Sequence, residues 1–383
     1  MSVNVLPFDQ VAIAQSDKGK RLKQRDYLPD GLLAVVDQGQ QQIGGYTDDQ
    51  SMAFEGELPV VLFGDHTRSV KLINHPFAVG ADGIKIFRPA SGVRTKYLYY
   101  WMKSAPIPDR GYGRHYQFLR QLTVPLPSEE QQDEIVAEIE KQFSRLDEAV
   151  ANLQRVKANL KRYKASVLKA AVEGRLVETE GGWRRSTLGE EGAIIGGLTK
   201  NQKRNDLPLK LPYLRVANVY ANELRLDEIE YIGVAERELE KLLVRKGDLL
   251  VVEGNGSPDQ IGRVALWNDA IPNCVHQNHL IKARFGEAVL PEWALIWMLS
   301  PVGRHEIEQV SASTSGLHTL SVGKVSRLPI GVPSQKEQVR IVAEVDRHLS
   351  IVREVEAEVD TNLKRAQALR QATLASAFHI ENT

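Results

Sequence analysis

The chain has one cysteine, Cys274, in 383 residues and therefore cannot form an internal disulfide bond. Its longest apolar runs, residues 242–244 and 249–252, are far shorter than the roughly 20 residues that a helix needs to cross a bilayer. The first nine residues, MSVNVLPFD, contain neither the basic region nor the apolar stretch of a secretory signal. We therefore expect a soluble cytoplasmic protein without disulfides or membrane spans.

An excess of charge of either sign is also missing, because 49 Lys and Arg side chains balance 49 Asp and Glu side chains. Residues 1–127 carry 15 basic and 12 acidic side chains, residues 128–180 carry 9 and 11, and residues 181–383 carry 25 and 26. Nucleic-acid binders are usually basic. We therefore expect the chain to bind DNA weakly by itself, with partner proteins supplying much of the attraction to phosphate.

Several catalytic signatures are absent from the sequence. No G-x-x-x-x-G-K-[ST] loop is present, which argues against ATP hydrolysis by this chain, and no Asn-Pro-Pro-Tyr-like loop of an adenine methyltransferase occurs. The glycine pairs at 111 and 113 and at 254 and 256 lack the third glycine of a dinucleotide loop, so we interpret both as turns.

No residue set resembles a complete metal site either. Asp30 and Asp109 lie next to prolines but have no Glu-x-Lys partner of a metal-dependent nuclease. Cys274, His276 and His279 provide only one sulfur and lack a convincing fourth ligand. We interpret these three residues as packing or DNA-facing, and we predict no catalytic residue, metal or cofactor in this chain.

An internal repeat organises the sequence. Residues 127–139, PSEEQQDEIVAEI, recur 206 positions later as residues 333–345, PSQKEQVRIVAEV. Each copy has a serine followed three residues later by Gln131 or Glu337, which is the pattern of a helix-starting capping box. The repeat therefore predicts two equivalent helix starts.

The residues after each predicted start have the pattern of a long helix. Gly and Pro are absent from residues 128–173 and 334–383, and apolar residues recur three and four apart, beginning at Ile135 and at Ile341. Gly174 is a natural end for the first helix. About 45 residues at about 1.5 Å each give a rod of about 65 Å, which is typical of a coiled coil. Chain direction predicts that the two helices pack antiparallel, although they could instead dimerise the chain.

The duplication extends weakly outside the helices. Residues 97–102, YLYYWM, resemble residues 293–298, WALIWM, and residues 113–115, GRH, precede the first long helix much as residues 316–318, GLH, precede the second. Residues 59–65 and 248–254 are both short buried-strand patterns that end in a polar loop containing glycine. The sequence therefore predicts two globular domains that each mix short strands and short helices.

Taken together, these motifs resemble the specificity subunits of type I restriction-modification systems. The resemblance covers essentially the whole chain. It depends on the two Pro-Ser helix starts with Glu-Gln or Gln-Gln followed by Ile-Val-Ala-Glu, on GWRRSTLGE at 182–190, on VDQG at 36–39 and on FGDHTR at 63–68.

The resemblance implies an α+β protein in which two mixed α/β target recognition domains are joined by two long antiparallel helices and related by a pseudo-twofold axis. It assigns residues 1–127 and 176–333 to the recognition domains, and 128–175 and 334–383 to the helices. Each domain would read one half of a split, asymmetric double-stranded DNA site. The helices would set the gap and dock two methyltransferase subunits. Those subunits and a restriction and translocation subunit, all separate chains, would use S-adenosylmethionine, ATP and Mg.

Polar clusters suited to bases and phosphates are the candidate DNA contacts, because Arg reads guanine, Asn and Gln pair with adenine, and Lys binds phosphate. In the first domain they are His66, Arg68, Lys71, Arg110, Arg114, His115 and Tyr116. In the second domain they are Lys200, Lys203, Arg204, Asn255, Gln260, Arg263 and His318, with Asn201, Ser257, Gln277, Asn278, His279 and the other residues of 313–318 nearby.

Two other functions fit the same sequence. The chain could be a coiled-coil scaffold that binds only proteins, or it could serve a related system that cuts on both sides of its site. Protection of a split DNA sequence would exclude the scaffold, and neighbouring genes would separate the two kinds of restriction system.

Overall fold

A computed structural model describes residues 4–80, 83–111, 113–254, 260–312 and 319–378. The chain forms two compact units. Unit 1 comprises Met1–Gln154 and Asp360–Thr383, and unit 2 comprises Arg155–Val359. Residues Asn255, Ser257, and 313–318, which include the predicted contact His318, lie outside the described residues.

Unit 1 is rich in short strands. Its strands are β1 (Asn4–Pro7), β2 (Ala12–Gln15), β3 (Leu33–Val36), β4 (Gly45–Thr47), β5 (Val60–Gly64), β6 (Val70–Ile73), β7 (Phe77–Val79), β8 (Ile84–Pro89) and β9 (Thr123–Leu126). Its short helices are α1 (Phe8–Val11), α2 (Thr95–Ser104) and α3 (Tyr116–Leu119). The strands form a β1-β9 pair, a sheet in the order β2-β8-β5-β6 and a sheet in the order β4-β3-β7, in which β3 and β7 are parallel.

A helix of 44 residues, α4 (Glu129–Val172), follows unit 1's last strand. Unit 2 then contains the strands β10 (Arg184–Thr187), β11 (Gly192–Gly196), β12 (Lys210–Leu214), β13 (Val219–Tyr220), β14 (Glu223–Leu224), β15 (Glu230–Gly233), β16 (Leu249–Val252), β17 (Val264–Leu266), β18 (Val275–His276), β19 (Leu280–Phe285) and β20 (Pro329–Val332). Its short helices are α5 (Leu188–Glu191), α6 (Leu239–Leu242), α7 (Pro291–Leu299), α8 (Pro301–Ser311) and α9 (Val322–Ser326). A second helix of 44 residues, α10 (Gln335–Phe378), ends the described chain.

The strand order of unit 2 repeats that of unit 1. Unit 2 has a β10-β20 pair, a sheet in the order β11-β19-β16-β17 and a sheet in the order β15-β12-β18, in which β12 and β18 are parallel. The β13-β14 hairpin is an addition in unit 2, inserted between β12 and β15. The predicted fold class, two mixed domains with two long helices, is confirmed.

Backbone hydrogen bonds define the equivalent positions in the two units. Leu22 bridges to Gly80 in unit 1, and Leu198 bridges to Gln277 in unit 2, both in parallel orientation. The N–H of His115 donates to the Asp65 carbonyl over 2.8 Å, and the N–H of Leu320 donates to the Glu253 carbonyl over 2.7 Å. By this criterion the counterpart of His115 is Leu320. Residues 316–318, which the sequence paired with 113–115, lie outside the described residues.

Each unit has its own apolar core beneath the four-stranded sheet. In unit 1 Phe8 packs on Phe87 and Trp101, with ring centroids 5.2 and 5.8 Å apart. In unit 2 the indole of Trp293 is fully buried and donates to the Gly331 carbonyl over 3.0 Å. The Tyr97 hydroxyl makes the matching bond to the Pro125 carbonyl over 2.6 Å, so the predicted equivalence of residues 97–102 and 293–298 is confirmed.

Both long helices begin at the predicted capping boxes. The Gln131 amide donates to the Ser128 hydroxyl oxygen over 3.3 Å, and the side chain of Gln131 accepts from the Ser128 amide over 3.2 Å. Ser334 and Glu337 make the same reciprocal pair over 3.4 and 3.0 Å. Gly174, with φ of 69°, ends the first helix, and the Arg175 amide donates to the Ala170 carbonyl over 2.8 Å. These bonds satisfy backbone groups that every helix end leaves open.

Within each unit, a segment of α4 packs against a segment of α10. In unit 1 Thr373 donates to Gln142 over 3.1 Å, and Arg370 binds Asp147. The residue numbers rise on one helix as they fall on the other, so this pair is antiparallel, as predicted. In unit 2 the Tyr163 hydroxyl and His348 Nδ1 are 2.6 Å apart.

The two compact units divide within the long helices, whereas our predicted domains end where the helices begin. Residues of α4 and α10 contribute to the cores of both units, because Val136, Ile139 and Leu374 are buried in one and Val167 and Ile341 in the other. The assignment of residues 1–127 and 176–333 as recognition domains stays a prediction about function.

Candidate nucleic-acid interface

Three loops of unit 1 meet at one end of its four-stranded sheet. They are residues 37–42 after β3, residues 65–69 between β5 and β6, and residues 107–111 and 113–115 before α3. The Thr67 hydroxyl donates to the Gln38 carbonyl, and the Ser69 hydroxyl donates to the Gly39 carbonyl over 3.2 Å. His66 donates from Nδ1 to the Gly113 carbonyl over 3.2 Å. The loops therefore form one connected surface, defined here as loop surface 1.

The buried carboxylate of Asp65 anchors this surface. Its Oδ1 accepts from the Tyr116 amide over 2.8 Å, and its backbone carbonyl accepts from both the amide and the Nδ1 of His115. The bond to Tyr116 lies at the first turn of α3, where a negative charge is favourable. The FGDHTR motif of the sequence therefore includes a residue that holds the third loop in place.

Predicted contacts His66 and Arg68 lie on loop surface 1. Arg68 has φ of 57°, which is uncommon for a residue with a side chain. Its guanidinium donates to Asp109 Oδ2 over 2.5 Å and to the Ile107 carbonyl over 3.3 Å. The Gly111 amide and this guanidinium lower the pKa of Asp109. The ion pair between Arg68 and Asp109 connects the loop of residues 65–69 to the loop before α3. Arg68 is about one third exposed and keeps part of its guanidinium at the surface.

Lys71 is buried rather than presented to solvent. Its ammonium donates to the carbonyls of Asp37, over 2.7 Å, and Gln41. Burial lowers the pKa of Lys71, and the nearby Asp37 carboxylate opposes that effect. Because its donors are used inside the protein, a direct phosphate contact by Lys71 does not fit this geometry. The lysine instead holds the loop of residues 37–42 on β6.

The predicted loop of residues 110–116 divides into exposed and buried members. Arg110 and Arg114 are exposed, and their guanidinium groups have no partner in the described part of the chain. His115 is fully buried, donating from Nδ1 to Asp65 and accepting at Nε2 from the Arg110 amide over 3.3 Å. A base contact by His115 therefore does not fit either. Tyr116 is half-buried, with Lys85 5.5 Å and Arg120 5.8 Å from its ring centroid.

The first predicted cluster of unit 2 is also divided. Lys203 is exposed and has no partner among the residues that the structure describes, whereas Lys200 is exposed and binds Glu230 over 2.8 Å. Arg204 makes a two-bond ion pair with Glu238, 2.9 Å at each oxygen, and also donates to the carbonyls of Thr199 and Gly233. Arg204 is 14% exposed and its contacts are internal, so a DNA contact by this residue does not fit. The Asn201 side chain donates to the Thr199 carbonyl.

The second predicted cluster of unit 2 lies beside β16 and β17. Gln260 accepts from Arg263 over 3.1 Å, and Arg263 also donates to the Val216 carbonyl over 3.4 Å. Gln277 accepts from the Val216 amide over 3.4 Å. Asn278 is half-buried and His279 is exposed, with His279 Nδ1 3.0 Å from the Glu253 carboxylate. Arg263 and Gln260 thus form a polar pair, with Gln277 near it.

Sequence reasoning missed an aromatic residue in the same region. The ring of Tyr220, on β13, has the guanidinium carbons of Arg225 and Arg263 3.8 and 4.8 Å from its centroid. Tyr220 is half-buried and Arg225 is exposed. The strand pattern around Tyr220 is only two residues long, so no periodicity signal marked it. The clue that the sequence offers is Arg225, which follows Tyr220 by five positions.

Two titratable residues predicted or noted in unit 2 are buried in its interior. Cys274 and His276 are both fully buried, and burial raises the pKa of the Cys274 thiol to about 12 and lowers that of His276 to about 4. His276 Nδ1 bonds to the Leu280 carbonyl over 2.9 Å.

Within residues 4–80, 83–111, 113–254, 260–312 and 319–378, no three His, Cys, Asp or Glu side chains are grouped to hold a metal ion. None of the helices that these residues form is both long enough and apolar enough to cross a membrane.

Three curated proteins are similar to this chain in sequence. The EcoKI specificity subunit of Escherichia coli (strain K12), a type I restriction enzyme component, is 28% identical over 274 residues, which are 68% of this chain and 58% of that protein. The StySPI specificity subunit of Salmonella potsdam is 26% identical over 77% of this chain and 67% of its own length. The EcoBI specificity subunit of Escherichia coli is 24% identical over 69% and 59%. The matched region thus spans about three fifths of the EcoKI and EcoBI subunits, and no family model matches the chain.

Solved structures share the fold. A chain from a type I R-M system, studied for its complex assembly and conformational transition, has a TM-score of 0.73 and 16% identity, with 99% of both chains covered. The HsdS subunit from Thermoanaerobacter tengcongensis has a TM-score of 0.54 and 16% identity, with 98% of this chain and 96% of that chain covered. At this identity the likeness concerns the arrangement of elements.

Proposed function

We propose that this chain, which is similar in sequence to the specificity subunits of type I restriction enzymes, is the DNA-reading subunit of a type I restriction-modification system. Each unit would read one half of a split double-stranded DNA site. The chain would contribute no catalytic group of its own.

The observation that carries this proposal is the duplication of one fold with different polar loops. The hairpin between β5 and β6 in unit 1 presents Arg68 beside Asp109, whereas the equivalent hairpin of unit 2 presents Arg263 beside Gln260 and Tyr220. Base edges in the major groove are distinguished by the donors and acceptors that side chains present to them. Two copies of one scaffold with different donors therefore favour two different half-sites in an asymmetric target.

The accessible members of the predicted clusters are the proposed DNA contacts. In unit 1 they are His66, Arg68, Arg110, Arg114 and Tyr116, and in unit 2 they are Lys200, Lys203, Gln260 and Arg263. Asn255 and His318 stay proposed contacts on sequence grounds alone. Lys71, His115 and Arg204 would support the loops that carry these contacts.

The long helices would determine the gap between the half-sites and provide surfaces for two methyltransferase subunits. The balanced charge of the chain fits a subunit that depends on partners for phosphate attraction. In this proposal S-adenosylmethionine, ATP and Mg are used by the partner subunits.

The proposal is tested by exchanging single accessible cations in the two units. The chain is produced with the methyltransferase and restriction subunits encoded beside its gene, and the methylated motif is determined by sequencing host DNA. Arg114→Ala should relax or change only the half-site read by unit 1, and Lys203→Ala only the half-site read by unit 2. Each variant is the control for the other, since both remove one exposed cation without an internal partner in the described residues.

Three outcomes would contradict the proposal. These are a chain that does not copurify with any methyltransferase, a methylated motif without two separated halves, and a single substitution that alters both halves. A footprint that shows no protected DNA, together with stable binding of other proteins, would favour the scaffold instead.

A further inference from the structure

Arg263 lies at a defined position in the hairpin that joins β16 and β17. The amide of Val252 donates to the Arg263 carbonyl over 2.8 Å, and the amide of Gly262 donates to the Val252 carbonyl over 3.0 Å. In unit 1, Gly64 makes the same two backbone bonds with Ser69 and Arg68, both over 2.8 Å. Arg68 and Gly262 also share the left-handed conformation, with φ of 57° and 65°. The backbone that leads into β6 is therefore matched by the backbone that leads into β17, and the two arginines stand at adjacent positions of it. The connection in unit 2 is longer, and its residues 255–259 lie outside the described residues.

The two arginines are held in chemically different ways. Arg68 is paired with a carboxylate, which occupies part of its guanidinium. Arg263 instead lies near the ring of Tyr220, with its guanidinium carbon 4.8 Å from the centroid. A cation over an aromatic face uses the face of the guanidinium and leaves the N–H groups at its edge available. The contact with the Tyr220 ring therefore leaves the Arg263 guanidinium able to donate to a further partner.

The hydrogen bonds of Arg263 leave donors available. Nη1 donates to Gln260 and Nη2 to the Val216 carbonyl over 3.4 Å, while Nε is buried and bonds to no described atom. Each terminal nitrogen carries two N–H groups, so one on each has no described acceptor. Two parallel donors are what a guanine edge accepts at O6 and N7.

Tyr220 itself does not belong to the apolar core of unit 2. Its neighbour Val219 is fully buried in that core, whereas Tyr220 is half-buried and stands on the added β13-β14 hairpin, for which the described residues of unit 1 form no counterpart strands. The second guanidinium on the ring, that of Arg225, is 52% exposed and bonds to Glu223 over 2.9 Å. The hairpin thus brings one aromatic ring to the side of Arg263.

We propose that Tyr220 is a positioning residue that orients Arg263 toward one guanine of the half-site read by unit 2. This inference rests on the proposed function, because it names the residue pair that would give one base pair of that half-site its identity. Arg263 makes the base contact, and Tyr220 acts only through it. Arg225 contributes charge near the same site without setting the orientation.

The experiment measures selectivity base pair by base pair. The full chain, assembled with its methyltransferase subunits, selects DNA from a library in which both half-sites are randomised. Tyr220→Leu should lower the preference for guanine at one position of the unit 2 half-site about tenfold, as expected for loss of one two-bond contact. Tyr220→Phe, which keeps the ring, should retain the preference. Arg263→Lys should lose the preference for guanine at the same position. Adding Tyr220→Leu to Arg263→Lys should lower that preference no further.

Arg225→Ala is the matched control, because it removes the other cation on the same ring. It should weaken binding to all sequences about equally and reduce the salt dependence, as loss of a phosphate contact does. The base preferences of both half-sites should stay as in the parent chain. Thermal unfolding of each variant establishes that unit 2 is folded, and Arg263→Lys with Tyr220→Phe still tests the pair where Tyr220→Leu does not fold.

The inference fails if Tyr220→Leu lowers affinity equally for every sequence, if Tyr220→Phe loses as much selectivity as Tyr220→Leu, or if Arg263→Lys changes a different position. These results differ from failure of the proposed function, in which the parent chain itself would select no split sequence. A parent chain that selects a split site, with a guanine preference unaffected by Tyr220→Leu, overturns only the role of Tyr220.

Discussion

Lys282 on β19 is a fully buried cation in the four-stranded sheet of unit 2. Its ammonium donates to the carbonyls of Lys241 and Leu243 over 2.7 and 2.8 Å. The strand registers pair Leu250 with Lys282 and Leu62 with Ile86, so an isoleucine holds the equivalent place in unit 1. Burial and the adjacent Arg284 guanidinium lower the pKa of Lys282 from 10.5 to about 8. The unfolded chain therefore holds this proton more tightly than the folded chain does.

This difference predicts a pH-dependent stability. Between pH 8 and 10.5 the unfolded state binds more protons at Lys282 than the folded state, so the free energy of unfolding should rise with pH, by at most about 1.4 kcal/mol per pH unit. Below pH 8 both states are protonated and the contribution is constant. Urea unfolding at pH 7.5 to 10 measures the slope, and Lys282→Met should reduce it.

Lys246→Met, which removes an exposed lysine near the same sheet, is the control and should leave the slope as in the parent chain. Equal slopes for the parent chain and Lys282→Met would show that another group causes the pH dependence.

At the residue scale, sequence indicated which side chains are polar but not which are accessible. Lys71 and His115 were predicted as DNA contacts, yet their donors are used by carbonyls at residues 37, 41 and 65. Those acceptors are 30 or more positions away in sequence, so no local pattern could identify them. Tyr220 was missed for the same reason, since its partner Arg263 lies 43 residues further along.

Elements of structure were predicted better than residues, because helix starts depend on local chemistry. The two capping boxes and Gly174 were read directly from serine, glutamine, glutamate and glycine at fixed spacings, and all are present. The parallel pairs β3-β7 and β12-β18 were not predicted. They join strands of two to five residues separated by 40 or more residues, and such short runs carry little periodicity.

The motif that begins each long helix also contains a glutamine whose role the sequence did not reveal. Gln338 is fully buried, accepts from the Leu290 amide over 2.8 Å, and donates to the carbonyls of Ala288 and Pro333 over 2.8 and 3.0 Å. Gln132 makes the same three bonds in unit 1, to Arg94, Gly92 and Pro127. Each amide therefore ties the start of a long helix to the segment before α7 or α2.

Gln338→Ala should lower the free energy of unfolding of unit 2 by roughly 3 kcal/mol, because it removes three hydrogen bonds of a fully buried amide, each of which contributes about 1 kcal/mol. Lys336→Ala, an exposed position two residues earlier on the same helix, should change it by less than about 0.5 kcal/mol. Urea unfolding followed by tryptophan fluorescence compares the variants, since Trp293 lies in the same core. Similar effects of both substitutions would mean that the amide bonds contribute little.

At the scale of the whole molecule, the 206-residue repeat was the most informative signal in the sequence, since it predicted two related domains and two long helices. The correspondence of the sheets goes further than the sequence could, because buried strands tolerate many apolar residues and retain little identity. The resemblance to a family supplied the proposed function. The loops that would define the DNA sequence differ between the units, and recognition depends on their particular side chains rather than on the shared fold.

If helix length determines the gap between half-sites, a matched lengthening of both helices should change that gap alone. Seven residues inserted after Leu153 in α4 and seven after Val359 in α10 fall where the two compact units divide. Seven helical residues add about 10 Å, which corresponds to roughly three base pairs at about 3.4 Å each. Sequencing of methylated motifs should then show both half-sites unchanged and the unread gap altered by about that number.

The same seven residues placed after Gly181, an exposed glycine with φ of 73° outside the helices, should leave the gap as in the parent chain. An unchanged gap after the matched helix insertions would mean that contacts of the partner subunits, rather than the length of these helices, fix the separation of the half-sites.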